Sequence, residues 1–298
     1  MSATSTKQAK ALIVAAIFML AAGCEQAQRS ENQETESEEM ITVSEPQMEL
    51  LWETPAELTT NESVHYEDSD GHIYVANIEG DPAEKDGVGS ISKLSKDGEI
   101  IERDWVSGLH APKGMTVKDG SLYVTDVDRL VEIELSSGEI SQIYEVSDAV
   151  FLNDADHDGS RVYFSDMRAG KILYLEEGEI KTFAENQKNI NGLRVSDGGV
   201  LYGLDAEGLK KYSEDGSYEV INDEVTGGDG LIIIDDDTFI ASKWGGEIYL
   251  VQDGEATKIL DTTQEESNTA DIGFIPDENI VLVPTFFKDK VAAYKLDY

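Results

Sequence analysis

Short β-rich runs, turn dipeptides at regular intervals and a repeat of about 40 residues predict an all-β fold for this chain, a six-bladed β-propeller. After residue 46 no stretch keeps the apolar periodicity of a helix. What recurs is Val, Ile, Tyr and Leu in short runs closed by Asp-Gly, Asn-Gly or Ser-Gly. Two β-sandwich domains in tandem are the alternative architecture.

The chain opens with Lys7 and Lys10, an apolar run from Ala11 to Ala22, then Gly23-Cys24. A basic end, a short apolar core and a small-residue cleavage site have the form of a secretory signal. The run is too short for a membrane span, which needs ~20 apolar residues. Leu20-Ala21-Ala22-Gly23-Cys24 resembles a bacterial lipoprotein signal, with Ala21 where such signals usually carry Leu. Residues 1–23 are therefore expected to be a lipoprotein signal peptide, and Cys24 the lipidated first residue of the mature protein. Cys24 is the only cysteine of the chain, and a lone thiol on an exported protein needs such a use. Ordinary signal cleavage would leave it as a spare thiol. Residues 24–46 are rich in Glu, Gln, Ser, Thr and Asn with almost nothing apolar, the composition of an acidic flexible tether. The expected location is the bacterial cell envelope, lipid-anchored and facing the periplasm or the exterior.

Residues 47–298 carry the propeller pattern. The second strands align as Ile73–Asn77, Leu122–Asp126, Val162–Asp166, Leu201–Asp205, Phe239–Lys243 and Val281–Thr285. Their central residues, at 74, 123, 163, 202, 240 and 282, are spaced by 49, 40, 39, 38 and 42. Third strands follow, as in Lys171–Leu175 and Glu247–Val251, then fourth strands such as Ile180–Phe183. The sixth unit ends at its third strand, Val291–Leu296, two residues before the chain does. Glu49–Glu53 is left over at the other end of the domain. An N-terminal strand completing the last blade closes the ring and removes two sheet edges.

The 23 basic and 61 acidic residues give a net charge of −38. Seven acids and three bases lie in residues 1–46, so −34 falls on the propeller. That sign argues against nucleic acid and against an anionic membrane surface as partners. It fits a surface adapted to salt, or one that recruits cations. A monomer touching the membrane only through its lipid anchor is expected.

Every first strand of a propeller lines the central channel and starts at the same end. Counting back from the second strands gives a ring of Glu62, Lys113, Asn153, Asn191, Asp229 and Asp271. All six are polar, and buried charges need partners or a metal. Carboxylate and amide oxygens without Cys or His suit a hard cation: Ca²⁺, or another divalent ion, takes ~6–8 oxygen ligands. Zinc is disfavoured, because His65, His72, His110 and His157 are scattered without ligand spacing. Taken singly, Asn191-Gly192 and Asp229-Gly230 also read as plain turn residues. Asp154-Ala155-Asp156-His157-Asp158-Gly159 opens like a calcium loop. Its twelfth position is Ser165 and it has no flanking helices, so an acidic hairpin turn is the better reading. Trp52, Trp105 and Trp244 read as blade packing, with the Lys243–Gly246 loop able to face a pocket. Ser165 and Ser242 have no His/Asp company and make no serine-hydrolase arrangement.

Glu62-Ser63-Val64, Asn191-Gly192-Leu193 and Asp229-Gly230-Leu231 resemble the landmarks of one propeller family. It is the senescence marker protein / gluconolactonase / luciferin-regenerating enzyme family, with paraoxonase and diisopropyl fluorophosphatase as wider relatives. The similarity runs over about residues 48–298. It implies that Glu62, Asn153, Asn191 and Asp229 bind a catalytic calcium and that a small-molecule lactone or related ester is hydrolysed. Asp229 would double as ligand and as general base or nucleophile, with Lys113 and Asp271 completing the catalytic set. Lys113-Gly114 departs from the His-Gly of paraoxonase-like relatives, so a His-based mechanism does not carry over. A Lys113–Asp271 ion pair would leave the calcium-loaded ring neutral. The alternative function is a non-catalytic extracytoplasmic propeller that binds a protein or carbohydrate partner, with Lys113 in place of the metal.

Overall fold

A computed structural model describes residues 45–298; the expected signal peptide, the lipidation at Cys24 and almost all of the tether lie outside the described residues. Six four-stranded antiparallel sheets follow one another along the chain. Their first strands are Asn61–Glu67, Pro112–Lys118, Leu152–His157, Leu193–Val195, Leu231–Asp235 and Gly273–Ile275. These lie against one another around the axis, which makes a six-bladed propeller. Each sequence anchor falls in a second strand, from Tyr74 in His72–Asn77 to Leu282 in Ile280–Pro284. Those strands are the most deeply buried of each blade because both faces are covered by neighbouring blades.

Blade 6 takes its outermost strand from the other end of the domain. Gln47–Glu53 runs antiparallel to Val291–Asp297, from Gln47 opposite Asp297 to Glu53 opposite Ala292, with a bulge between Leu50 and Trp52. Trp52 then packs on the seam cluster that joins blades 6 and 1, beside Leu58, Val64, Leu282 and Ala293.

The core is divided among the blade interfaces rather than gathered at one centre. Between blades 1 and 2 lie Tyr74, Ile91, Met115 and Val124; between blades 4 and 5 lie Tyr202, Leu204, Phe239 and Val251. Aromatic residues bridge these layers, as in the tilted Tyr202–Phe239 pair at 5.1 Å. With apolar packing spent between the blades, the axis is left to polar side chains.

Candidate functional site

The six ring residues occupy the starts of the first strands, as the count from the second strands predicts. Glu62, Lys113 and Asn153 are the second residues of theirs; Asn191, Asp229 and Asp271 stand two residues ahead of theirs. Five of the six line one cavity of ≈ 360 Å³ at this end of the channel: Glu62, Lys113, Asn153, Asn191 and Asp229. Asp271 does not line it. It lies beside Ser63, whose hydroxyl donates to Asp271 Oδ2 at 2.5 Å.

The glycine after a ring residue serves close packing rather than a turn. A Cβ on Gly114 would collide with the Cα of Asp154, one on Gly192 with the carbonyl of Asp229, and one on Gly230 with the backbone nitrogen of Ile272. In each case the obstacle belongs to the next blade, so the missing side chain lets adjacent first strands converge at the axis. Side-chain hydroxyls then fix the ring backbone. Thr125 Oγ1 donates to the Asn153 carbonyl, Ser165 Oγ to the Asn191 carbonyl at 2.9 Å, and Ser242 Oγ to that of Ala270 at 2.8 Å. All three occupy the same place in their second strands, next to Asp126, Asp166 and Lys243. The aligned strands carried this signal, and it marks supports for the site rather than nucleophiles. Asp126 and Asp166 in turn accept from loop N–H groups, at His110 and Ala111 and at Val150 and Phe151.

The floor of the cavity is rich in oxygen and short of donors. Glu62, Asn153 and Asp229 are 5%, 4% and 4% exposed. Glu62 Oε2, Asn153 Oδ1 and Asn191 Oδ1 are buried with no hydrogen-bond partner. Each unmatched buried acceptor costs about 1–3 kcal/mol. Asn191 Nδ2 donates to Asp229 Oδ1 at 2.7 Å, which leaves Oδ2 uncommitted among the described residues. Burial, and then the charge of Asp271, push Asp229 up to about 7. Burial and then Asp229 raise Glu62 well above the usual carboxylate range, with Lys113 opposing. Unmatched acceptors and destabilised carboxylates around one cavity fit a hard cation, which would supply the missing partner and charge. Glu62, Asn153, Asn191 and Asp229 are the residues placed to hold it. Among the described residues no three His, Cys, Asp or Glu side chains form a ligand cluster; the donor set is mixed carboxylate and amide.

The Lys113–Asp271 pair does not form. Lys113 Nζ donates to the carbonyls of Ala111 at 2.8 Å and Pro82 at 3.0 Å, and lies 4.6 Å from the centre of the Phe151 ring. Burial holds its ammonium below the ordinary lysine value while Glu62 pulls the other way. The side chain turns outward along the wall because carbonyls satisfy it there, so the neutral ring expected from charge counting does not arise.

The acidic run at 154–159 is not a cation loop. Asp154 Oδ2 and Asp156 Oδ2 accept from the N–H groups of Leu193 at 2.6 Å and Val195 at 2.7 Å, tying blade 3 to the short first strand of blade 4. Asp158 closes the hairpin, accepting from the backbone of Ser160 and Arg161. Deeper in the channel Arg194 lies among Asp154, Asp156 and Asp271 as their countercharge. None of the four histidines lines the cavity.

Trp244 and Phe286 complete the wall with Ile78, Phe151 and Met167. Trp52 and Trp105 pack in the blades, as expected. Phe286 has φ 50°, a left-handed conformation unusual for a bulky residue. Its ring is pinned edge-on by Trp244 at 5.4 Å and by Phe287 at 4.7 Å. Such outliers collect at binding sites.

No protein-family profile matches the sequence, and no curated protein matches it. Solved structures do. One assigned as a gluconolactonase superposes with a TM-score of 0.60 at 17% identity, over 85% of this chain and 93% of its own. Luciferin-regenerating enzyme gives 0.59 at 15% identity, over 85% and 96%. Virginiamycin B lyase from Staphylococcus aureus gives 0.57 at 14% identity, over 85% and 100%. Likeness at these identities is one of architecture. The chain has the six-bladed propeller fold of the gluconolactonase and luciferin-regenerating structures, the fold its ring motifs led one to expect.

Proposed function

We propose that the protein is a calcium-dependent hydrolase of lactones or related esters, with the cation held by Glu62, Asn153, Asn191 and Asp229. The observation that carries this reading is the set of three buried oxygens without donors, on Glu62, Asn153 and Asn191, around a cavity that also holds the Asp229 carboxylate. The enzyme-like neighbours of the same fold support it.

When bound, a calcium ion polarises a substrate carbonyl and offsets the negative charge that develops on it. The chain's own contribution is placement and proton transfer. Asn191 fixes Oδ1 of Asp229 and leaves Oδ2 uncommitted among the described residues, on a side chain that lines the cavity. That oxygen takes a proton from the attacking water as the water oxygen bonds to the carbonyl carbon. The ring C–O bond then breaks, and the proton passes to the departing alkoxide, giving a hydroxy acid. A bound cation would lower the Asp229 carboxyl below its metal-free value, which limits its strength as a base in the loaded site. Asp271 is a positioning residue here: it raises Asp229 through its charge and touches no substrate.

The test is turnover of a lactone and aryl-ester panel by wild type and Asp229→Asn, with calcium and with chelator. Metal-dependent hydrolysis lost in the variant supports the proposal. Calcium binding without turnover of any member leaves the non-catalytic partner-binding propeller in its place. We also propose that Cys24 is acylated and anchors the protein in a bacterial envelope; Cys24→Ser should move it from the membrane to the soluble fraction.

A further inference from the structure

Two cations converge on one ring at the cavity wall of this strongly acidic protein. Phe151 lines the cavity; Lys113 Nζ lies 4.6 Å and the Arg168 guanidinium carbon 4.1 Å from its ring centre. Lys113 is 1% exposed, whereas Arg168 is exposed. Neither forms an ion pair among the described residues, in a chain where acids outnumber bases 61 to 23. Most other described bases find a carboxylate, as Arg129 does in Asp126 at 2.7 Å and Lys210 in Asp205 at 2.5 Å, the exceptions being Lys211, Lys288 and Lys295. A cation left unpaired amid such an excess of acid needs a reason.

The Lys113 ammonium has three N–H groups and gives two of them to the carbonyls of Pro82 and Ala111. The third makes no hydrogen bond among the described residues. The charge sum points the same way. With calcium in place, the carboxylates of Glu62 and Asp229 cancel the ion and the Lys113 ammonium is left over, because Asp271 lies outside the cavity. A site carrying one surplus positive charge favours a partner carrying one negative charge. Around that charge the wall is apolar, through Ile78, Phe151, Met167, Trp244 and Phe286. A substrate rich in hydroxyls would find few partners there.

We infer that the cavity selects a substrate with a carboxylate on an apolar body, the carboxylate being held by Lys113, with Arg168 adding positive charge beside the Phe151 ring. This names the substrate class of the hydrolase proposed above and rests on that reading for the reaction, though not for the binding. Lys113 supplies a desolvated donor, and Arg168, exposed and outside the cavity lining, supplies charge beside the Phe151 ring. Calcium and the carboxylate bind cooperatively, because the ion offsets the two ligand carboxylates that would otherwise repel the incoming anion.

The experiment measures binding of hexanoate and its neutral counterpart hexanamide by titration calorimetry, with calcium and with chelator, to wild type, Arg168→Gln and Lys113→Met. Hexanoate should bind about tenfold tighter than hexanamide in calcium, as one charge-assisted hydrogen bond would give. Arg168→Gln should cut that preference severalfold and leave turnover of neutral lactones unchanged, and Lys113→Met should abolish the preference. Equal binding of the two probes overturns the inference. So does a preference that survives in both variants, which would mean that the metal alone holds the carboxylate. The two proposals fail separately. A protein that prefers hexanoate through Arg168 and hydrolyses nothing refutes the hydrolase only, whereas one that hydrolyses neutral lactones and ignores hexanoate refutes the carboxylate site only.

Discussion

Asp229→Asn is expected to make the metal-free protein more stable at alkaline pH while removing its catalytic function. The wild-type carboxylate titrates at about 7 in the folded protein, against an ordinary value of 3.8. At ~1.36 kcal/mol for each tenfold change in proton affinity, that difference is about 4 kcal/mol. The sign follows from proton release. A raised carboxylate holds its proton in the folded state and loses it on unfolding, so its contribution is intact below about pH 4 and is lost as the pH rises through about 7. Asparagine is neutral throughout, and its Oδ1 can still accept from Asn191 Nδ2. Urea unfolding in chelator should therefore show the variant more stable by as much as about 4 kcal/mol at pH 8, with the two curves converging near pH 4. Saturating calcium should reverse the order at pH 8, since the variant lacks one ligand charge. Equal stability of the two proteins at pH 8 in chelator, or a gap that widens toward acid, would refute the account of a buried carboxylate held at a cost.

Calcium at about 100 times its dissociation constant should stabilise the wild type by ~2.7 kcal/mol. For a domain of this size that raises Tm by about 5–10 °C in differential scanning calorimetry, and the rise should vanish with chelator. Gly192→Ala forces a methyl against the Asp229 carbonyl, so it should cost about 1–3 kcal/mol in urea unfolding and weaken calcium binding as well. Ser165→Ala removes the hydroxyl that holds the Asn191 carbonyl; a loss of about 1 kcal/mol, with a small drop in calcium affinity by calorimetry, is expected. Deletion of residues 45–53 bares the edge of blade 6 and should give a protein that aggregates during refolding, followed by light scattering.

The repeat could be read in the sequence because second strands are buried along almost their whole length and centre on apolar residues, with Tyr74, Tyr123, Tyr163 and Tyr202 at matching places. The ring could be read because the step from second strand back to first is nearly constant. Depth along the axis could not. Asp271 satisfies the count but bonds to Ser63 instead of lining the cavity, because its backbone bridges to Ser63 of blade 1. Nor could the direction of a long side chain. Lys113 reaches a carbonyl 31 residues away at Pro82, a contact no local pattern encodes. The walls were illegible for a third reason: Phe151, Met167 and Phe286 sit in loops whose path depends on tertiary bonds such as those from the backbone of Val150 and Phe151 to Asp166.

The closing of blade 6 also sets an order of events during synthesis. Gln47–Glu53 is the first described strand to leave the ribosome, and its only sheet partner, Val291–Asp297, is the last. At ~5–20 residues per second the early strand waits roughly 10–50 s for its mate. Through that interval blades 1 to 5 can assemble while blade 6 lacks the strands that would join it to blade 1. A nascent chain therefore stays an open arc, and loss of either Gln47–Glu53 or Val291–Asp297 produces the same unclosed species. Closure of the circle is thus conditional on two strands far apart in sequence, Gln47–Glu53 and Val291–Asp297, both being present.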